Sequence, residues 1–203
     1  MKKKGLLIIL SGPSGAGKGT VLKEVMKTYK NLAVSVSVTT RAPREGEVND
    51  VNYHFKTIEE FKELAHEGAF LESECVYGNY YGTLKSEVFE RIEKGQDVVL
   101  EIDVKGAFNV LGRYPDAVSI FVCPTSLEEL KGRLAGRGSE TEAALKLRLK
   151  SAIGEIKQAT KYGYVVVNDD VAECADDVIA IIKAEKCSTK INNDFISKLT
   201  GGN

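Results

Sequence analysis

"LLIILSGPSGAGKGT", residues 6–20, decides the fold. Its first half is a continuous apolar run, the pattern of a strand covered on both faces of a parallel sheet. The stretch that follows the glycines places Val21, Leu22, Val25 and Met26 at helical spacing, so strand, loop and helix succeed one another. Between Gly12 and Lys18 the chain satisfies G-x-x-x-x-G-K, but Gly19 stands where that pattern carries Ser or Thr. Glycines let the backbone curl so that its N–H groups face an anion, and the helix N-terminus adds partial positive charge. Lys18 then brings a full charge to the outer phosphates of a nucleotide. The competing reading is a glycine-rich turn that binds nothing; the strand–helix setting favours the nucleotide.

The 203 residues carry a formal net charge of −1, with 43% hydrophobic and 28% charged residues, which suits a globular α/β domain able to bury its own core. Near-neutral charge leaves no electrostatic footprint for nucleic acid or an anionic membrane surface. The apolar runs are strand-sized, far below the length of a spanning helix. "MKKKG" followed by "LLIIL" superficially resembles a secretory leader, but the run ends in the glycine loop and not in a cleavage site. Cys75, Cys123, Cys174 and Cys187 are scattered, with no CxxC, and read as reduced thiols of a cytoplasmic protein.

Strands and helices alternate along most of the chain. "AVSVSVTT" predicts a second strand, "QDVVLEIDV" and "AVSIFVCP" core strands, and "YVVVNDD" the last one. "TIEEFKELAHEG" predicts a helix with a capping box at Thr57 and Glu60 and a stop at Gly68. Further helices are predicted over "LKSEVFERIEKG", "SLEELKGRLAGRG" from Ser126, "SETEAALKLRLKSAIGEIKQATKYG" with a capping box at Ser139 and Glu142, and "VAECADDVIAIIKAEK". This alternation predicts a parallel sheet with helices on both faces. Residues 35–83 break it, clustering strands and turns, and read as a small lobe inserted into the core. Residues 187–203 are polar with weak periodicity and read as a frayed tail.

Three further constellations carry chemistry. In "SVSVTTRAPREGEVNDVNYHF", Arg41 and Arg44 with Tyr53 suit a phosphate monoester, because guanidinium forks are planar and always charged; a solvated basic loop is the bland alternative. In "LESECVYGNYYGT" and "LEIDVKG", Glu72 lies near Tyr81 and Thr83, and Asp103 stands at the C-terminal end of a strand, where open α/β sheets bind ligands. Carboxylates there can accept from the N1–H and N2–H₂ donors of guanine, which adenine does not match; Asp103 could equally serve a magnesium ion. In "GRLAGRGSETEAALKLRL", Arg133, Arg137 and Arg148 flank a turn between helices and suit a lid closing on a phosphoryl group, or else are ordinary exposed charges.

Taken together, "SGPSGAGKGT", "SVSVTTRAPREGEVNDVNYHF", "GNYYGT", "EIDVKG", "GRLAGRGSET" and "VVVNDD" resemble guanylate kinase in order and spacing across about residues 5–186. The resemblance implies a nucleoside monophosphate kinase of the P-loop group: a three-layer α/β fold with a parallel central sheet, an inserted GMP-binding lobe and a helical lid. It implies a core of 1–34 and 84–186, a lobe of about 35–83 and a lid of about 133–150. It also implies transfer of the γ-phosphoryl of ATP to GMP or dGMP, with magnesium, in purine nucleotide metabolism and GMP recycling. Carried over by position, Ser37, Glu72, Thr83 and Asp103 match guanine-recognising residues, and Arg41, Arg44, Tyr53 and Tyr81 match those that hold the GMP phosphate. Lys18, Arg133, Arg137 and Arg148 match the catalytic cations. Gly12, Pro13, Ser14, Gly15, Ala16, Gly17, Lys18, Gly19 and Thr20 match the ATP loop, with Asn168 beside the adenine segment.

Three departures from the family pattern, at four positions, are visible. Thr83 stands where Ser is common and keeps the hydroxyl; Glu101 and Lys105 stand where Asp and Gln are common; Gly19 removes a hydroxyl from the loop. No protein metal site is expected. Magnesium is expected to be held mainly by nucleotide phosphates and water, with Thr20 or Asp103 nearby. Two rivals stay open: a kinase-like module that has lost catalysis and binds proteins, and a kinase for another nucleoside monophosphate. Glu72, Asp103 and "GNYYGT" argue against the second, and the intact Lys18 and arginine set against the first.

Overall fold

The computed structural model describes residues 4–76, 78–135 and 142–201. The chain divides into two compact units, with boundaries at Ser11/Gly12, Lys30/Asn31 and Ala117/Val118. The first boundary falls where the apolar strand gives way to the glycine loop.

The first unit holds three parallel strands in the order β2 (Leu32–Val34), β7 (Asp97–Glu101) and β1 (Leu7–Ser11). Ile8, Ile9, Leu10, Val98 and Leu100 are buried, which accounts for the unbroken apolar runs. The same unit holds a four-stranded sheet in the order β4 (His54–Phe55), β3 (Ser37–Thr39), β6 (Asn79–Leu84) and β5 (Phe70–Val76). One face of that sheet packs Val38, Phe70 and Tyr80 against Phe61 of α2 (Ile58–His66), with the Phe61 and Phe70 rings stacked 4.5 Å apart. The capping box predicted at Thr57 and Glu60 is present, and Gly68 ends the helix with φ +67°.

"AVSVSVTT" is not one strand. Its two halves are β2 and β3, which join different sheets. Alternation of β-branched residues marks extended chain but does not say which sheet each half enters. After α3 (Lys85–Glu93) and β7 comes α4 (Val104–Arg113), a helix that sequence analysis assigns to no element. Two glycines and two valines weaken its intrinsic propensity, and burial of Val104, Ala107 and Val110 outweighs that.

In the second unit β8 (Val118–Cys123) pairs in parallel with β9 (Tyr164–Val167). Helix α1 (Lys18–Thr28) packs on α7 (Val171–Lys186), burying Val21, Leu22 and Val25 on one side and Ala175, Val178, Ile179 and Ile182 on the other. Helices α5 (Leu127–Ala135) and α6 (Glu142–Ile156) pair through Leu130, Leu134 and Ala152. The predicted long helix ends early, at Ile156, and a 3-10 turn over Ala159–Lys161 follows. Its predicted cap, Ser139, lies outside the described residues. Where a frayed tail is expected, α8 (Thr189–Leu199) forms, capped by Ser188, whose hydroxyl accepts from Ile191 N. Among the described residues no helix is long and apolar enough to cross a membrane. All four cysteines are free, and burial pushes the Cys174 thiol up to about 11.

Candidate functional site

In the second unit the glycine loop runs from Gly12 to Gly17. Gly17 takes φ +87°, and a Cβ there would lie 2.3 Å from Asn168 Nδ2; a Cβ on Gly12, at φ +145°, would lie 2.3 Å from Val122 O. Both positions therefore demand glycine on two counts, left-handed backbone and close approach. No side chain caps α1, whose N-terminus carries the partial positive charge that suits an anion. Gly17→Ala is expected to lower Tm and to weaken nucleotide binding at least tenfold, since strain at such a φ costs ~1–3 kcal/mol. Thermal melts with and without nucleotide check both effects.

Two side chains brace this loop, and a third folds back on it. Asn168, 1% exposed, donates from Nδ2 to Ala16 O at 2.7 Å. Arg133 donates to Ala16 O at 3.3 Å and to Asn168 O at 3.2 Å, and its Nη2 pairs with Glu129 at 2.5 Å. Lys18 folds back, with Nζ 2.5 Å from Gly12 O and 3.2 Å from Pro13 O. Arg148 lies half-buried on α6. Arg137 lies outside the described residues. Thr20 is exposed in the first turn of α1, beyond Gly19.

In the first unit, strand register builds the second half of the chemistry. Ser37 pairs with Thr83, and Thr83 with Glu72; two residues along, Thr39 pairs with Tyr81, and Tyr81 with Glu74. Side chains two apart share a face, so these six form two rows on the face opposite Val38 and Phe70. A bulge between Phe70 and Glu72 shifts the register and brings Glu72 opposite Thr83. Thr83 Oγ1 donates to Glu72 Oε1 at 2.7 Å in a buried setting. Burial pushes the Glu72 carboxyl above its ordinary range, against the Thr83 bond, and the Asp103 charge adds to the rise. Asp103 caps α4, its Oδ1 accepting from Gly106 N at 2.7 Å. A Cβ at Gly106 would lie 3.3 Å from Asp103 Oδ1 and 3.4 Å from Glu72 Oε2, so the two carboxylates converge on that glycine.

A cavity of about 260 Å³ opens on this face, lined by Ser37, Tyr53, Glu72, Glu74, Tyr81, Glu101 and Asp103 among others. Four carboxylates line it, and carboxylates only accept. Among the described residues no group of three or more His, Cys, Asp or Glu is placed to hold a metal ion. Tyr53 and Tyr81 are in edge contact at 6.2 Å, and the Arg41 guanidinium lies 5.4 Å from the Tyr53 ring centroid. Donors for an anion thus stand beside acceptors for a base. Arg44 is exposed on the neighbouring loop.

A family model described as guanylate kinase matches residues 4–185. The chain belongs to the guanylate kinase family. It is 50% identical over 199 residues to guanylate kinase of Caldanaerobacter subterraneus subsp. tengcongensis, covering 98% of this chain and 97% of the relative. It is 51% identical over 202 residues to guanylate kinase of Clostridium acetobutylicum, covering 99% and 96%. A crystal structure of guanylate kinase from Anaplasma phagocytophilum superposes with a TM-score of 0.75 at 38% identity, over 93% of this chain and 89% of that one.

Several residues around the guanylate kinase motifs are absent from the sequence-derived set. Glu74 reaches the cavity and is held there by Lys105 at 2.6 Å and Asn109 at 2.9 Å. That pairing accounts for Lys105, a departure from the family pattern that the sequence leaves without a role. Glu101 lines the same cavity. Glu47 pairs with Arg41. The signal for Glu74 was available, since it stands two residues from Glu72 in a strand. Asn168, assigned to the adenine segment by resemblance, sits against the loop backbone, and its Oδ1 has no hydrogen-bond partner among the described residues.

Proposed function

We propose that this protein transfers the γ-phosphoryl group of ATP to GMP, giving ADP and GDP. The observation that carries the reading is a cavity in which Glu72 and Asp103 converge while Arg41, Tyr53 and Tyr81 cluster beside them. Guanine offers N1–H and N2–H₂ to carboxylates; the monophosphate takes the guanidinium and phenol donors. The glycine loop, with Lys18 and the N-terminus of α1, suits the triphosphate of ATP. Residues 35–83 serve as the GMP lobe and about 133–150 as the lid.

Phosphoryl transfer asks the protein to position and neutralise, not to form bonds to the substrate. Lys18 leaves its loop carbonyls for the phosphates of ATP. Arg133 and Arg148 offset negative charge at the transferring group, and Arg41, Arg44 and the tyrosines fix the attacking phosphate. Closure over the nucleotides excludes water and suppresses ATP hydrolysis. Thr20 presents an exposed hydroxyl in the loop's own unit, which fits magnesium arriving already chelated by ATP. When bound, the ion draws charge from the phosphates; Thr20 is the residue at hand in the loop to approach it.

An ADP-release assay with GMP, dGMP, AMP, UMP and CMP as acceptors tests the reading. GMP is expected to exceed AMP in kcat/KM by roughly 10⁴, the discrimination of a site built on hydrogen bonds that the wrong ligand leaves unmade. Preference for AMP overturns the assignment, and no turnover with any acceptor supports the binding module instead.

A further inference from the structure

Glu47 has no role in the reaction as described so far, yet its carboxylate organises the whole phosphate-gripping loop. Arg41 Nη1 donates to Glu47 Oε2 and Nη2 to Oε1, each at 2.9 Å, and Nη1 also donates to Ala42 O at 2.7 Å. Both Nη1 protons and one Nη2 proton are thereby engaged. The rings of Tyr53 and Phe55 lie 5.4 and 5.9 Å from the guanidinium carbon. What remains of the planar group is one edge, Nε–H and the second Nη2–H. Two parallel N–H bonds are the geometry that phosphate oxygens accept.

The same carboxylate shapes Arg44. Glu47 Oε2 accepts from Arg44 N at 2.7 Å, while Glu47 N donates to Arg44 O at 3.0 Å, closing a four-residue turn that Gly46 allows with φ +82°. The pair is largely shielded, with side-chain exposures of 15% for Arg41 and 20% for Glu47. Bonding to Arg41, above all, holds the Glu47 carboxyl below its ordinary range, so it stays ionised at neutral pH.

We infer that Glu47 is a positioning residue for the acceptor phosphate, aiming the free edge of Arg41 and the turn bearing Arg44 at the GMP phosphate. The inference rests on the reading of the cavity as the GMP site. A long guanidinium side chain pre-set in one rotamer loses less freedom on binding than a mobile one. The opposing role, a carboxylate that competes with phosphate for Arg41, predicts the reverse sign.

Titration calorimetry of GMP and guanosine into wild type, Glu47→Gln, Arg41→Lys and the double variant separates these, with steady-state kinetics alongside. Glu47→Gln is expected to weaken GMP about tenfold or more, the scale of a lost charge-assisted pair. Guanosine binding, KM for ATP and kcat at saturating GMP should change less than about threefold. The double variant should bind GMP no more weakly than Arg41→Lys alone, because the two residues act as one unit. GMP affinity that is unchanged or tighter in Glu47→Gln overturns the inference. So does equal weakening of guanosine, which would mark general damage to the cavity. A wild type that binds GMP but transfers no phosphoryl group contradicts the proposed reaction and leaves this binding readout in force.

Discussion

Replacing Lys18 by Ala is expected to lower kcat by roughly 10³-fold or more, the scale on which removal of a cation or donor at a developing charge acts. Without nucleotide, Lys18 donates to the carbonyls of Gly12 and Pro13 in its own loop. Those bonds hold an ammonium ready beside the amides of α1, and moving it to a phosphate oxygen needs only side-chain rotation. The loop's shape rests elsewhere, on Gly12 and Gly17, on Asn168 and on Arg133. Lys18→Ala should therefore melt within a few degrees of wild type while turnover collapses. Turnover within tenfold of wild type at matched ATP saturation would remove Lys18 from the reaction.

Glu72→Gln is expected to cut kcat/KM for GMP by roughly 10²–10³, with KM for ATP little changed. The substitution swaps an acceptor for a donor opposite guanine N1–H, and a buried unpaired group costs ~1–3 kcal/mol on each side of the mismatch. Its effect on stability should have the opposite sign. In the folded protein the Glu72 carboxyl titrates above its unfolded range, because burial disfavours the charge. The folded state therefore holds the proton where the unfolded state has released it, and stability falls as pH rises through that window. Free of ligand, Glu72→Gln should melt above wild type at pH 7. The gap should close below the ordinary carboxylate range, where Glu72 is protonated in both states. By the same linkage, GMP affinity of the wild type should decline as pH falls through the raised Glu72 pKa. A variant that uses GMP normally would detach Glu72 from base recognition.

Why one buried carboxylate can be both costly and useful is visible in the strand register. Thr83 and Ser37 sit in its row, and the Phe70–Glu72 bulge sets that row. A bulge cannot be read from alternation alone, because "FLESECV" alternates imperfectly whichever way it pairs. The strand–loop–helix at residues 6–28 was legible because an apolar run, positive-φ glycines and a helical stripe all point the same way. The α2 capping box was legible because its signal is local. By contrast α4 was hidden: its glycines lower propensity, and its stability comes from burial against elements distant in sequence. The passage from β2 to β3 was hidden for a related reason, since sheet membership is a tertiary fact.

The candidate site divides along the same line. Residues proposed to touch substrate in a recognisable motif, such as Arg41, Glu72 and Asp103, stand out by type and spacing. Residues that hold them do not. Glu47 is one acidic residue in a polar loop until the Arg41 fork is seen on it, and Lys105 is a stray charge until Glu74 is seen opposite. Asn168 shows the converse, a residue whose place in a motif suggested the ligand and whose side chain supports the loop backbone.

Phosphorus NMR of the protein with ATP, magnesium and GMP tests the central claim most directly. The account predicts growth of the GDP and ADP β-phosphate signals in equal amounts, with inorganic phosphate negligible over the same interval and no GDP when GMP is omitted. Inorganic phosphate in place of GDP, or diphosphate formation from AMP in preference to GMP, would contradict it.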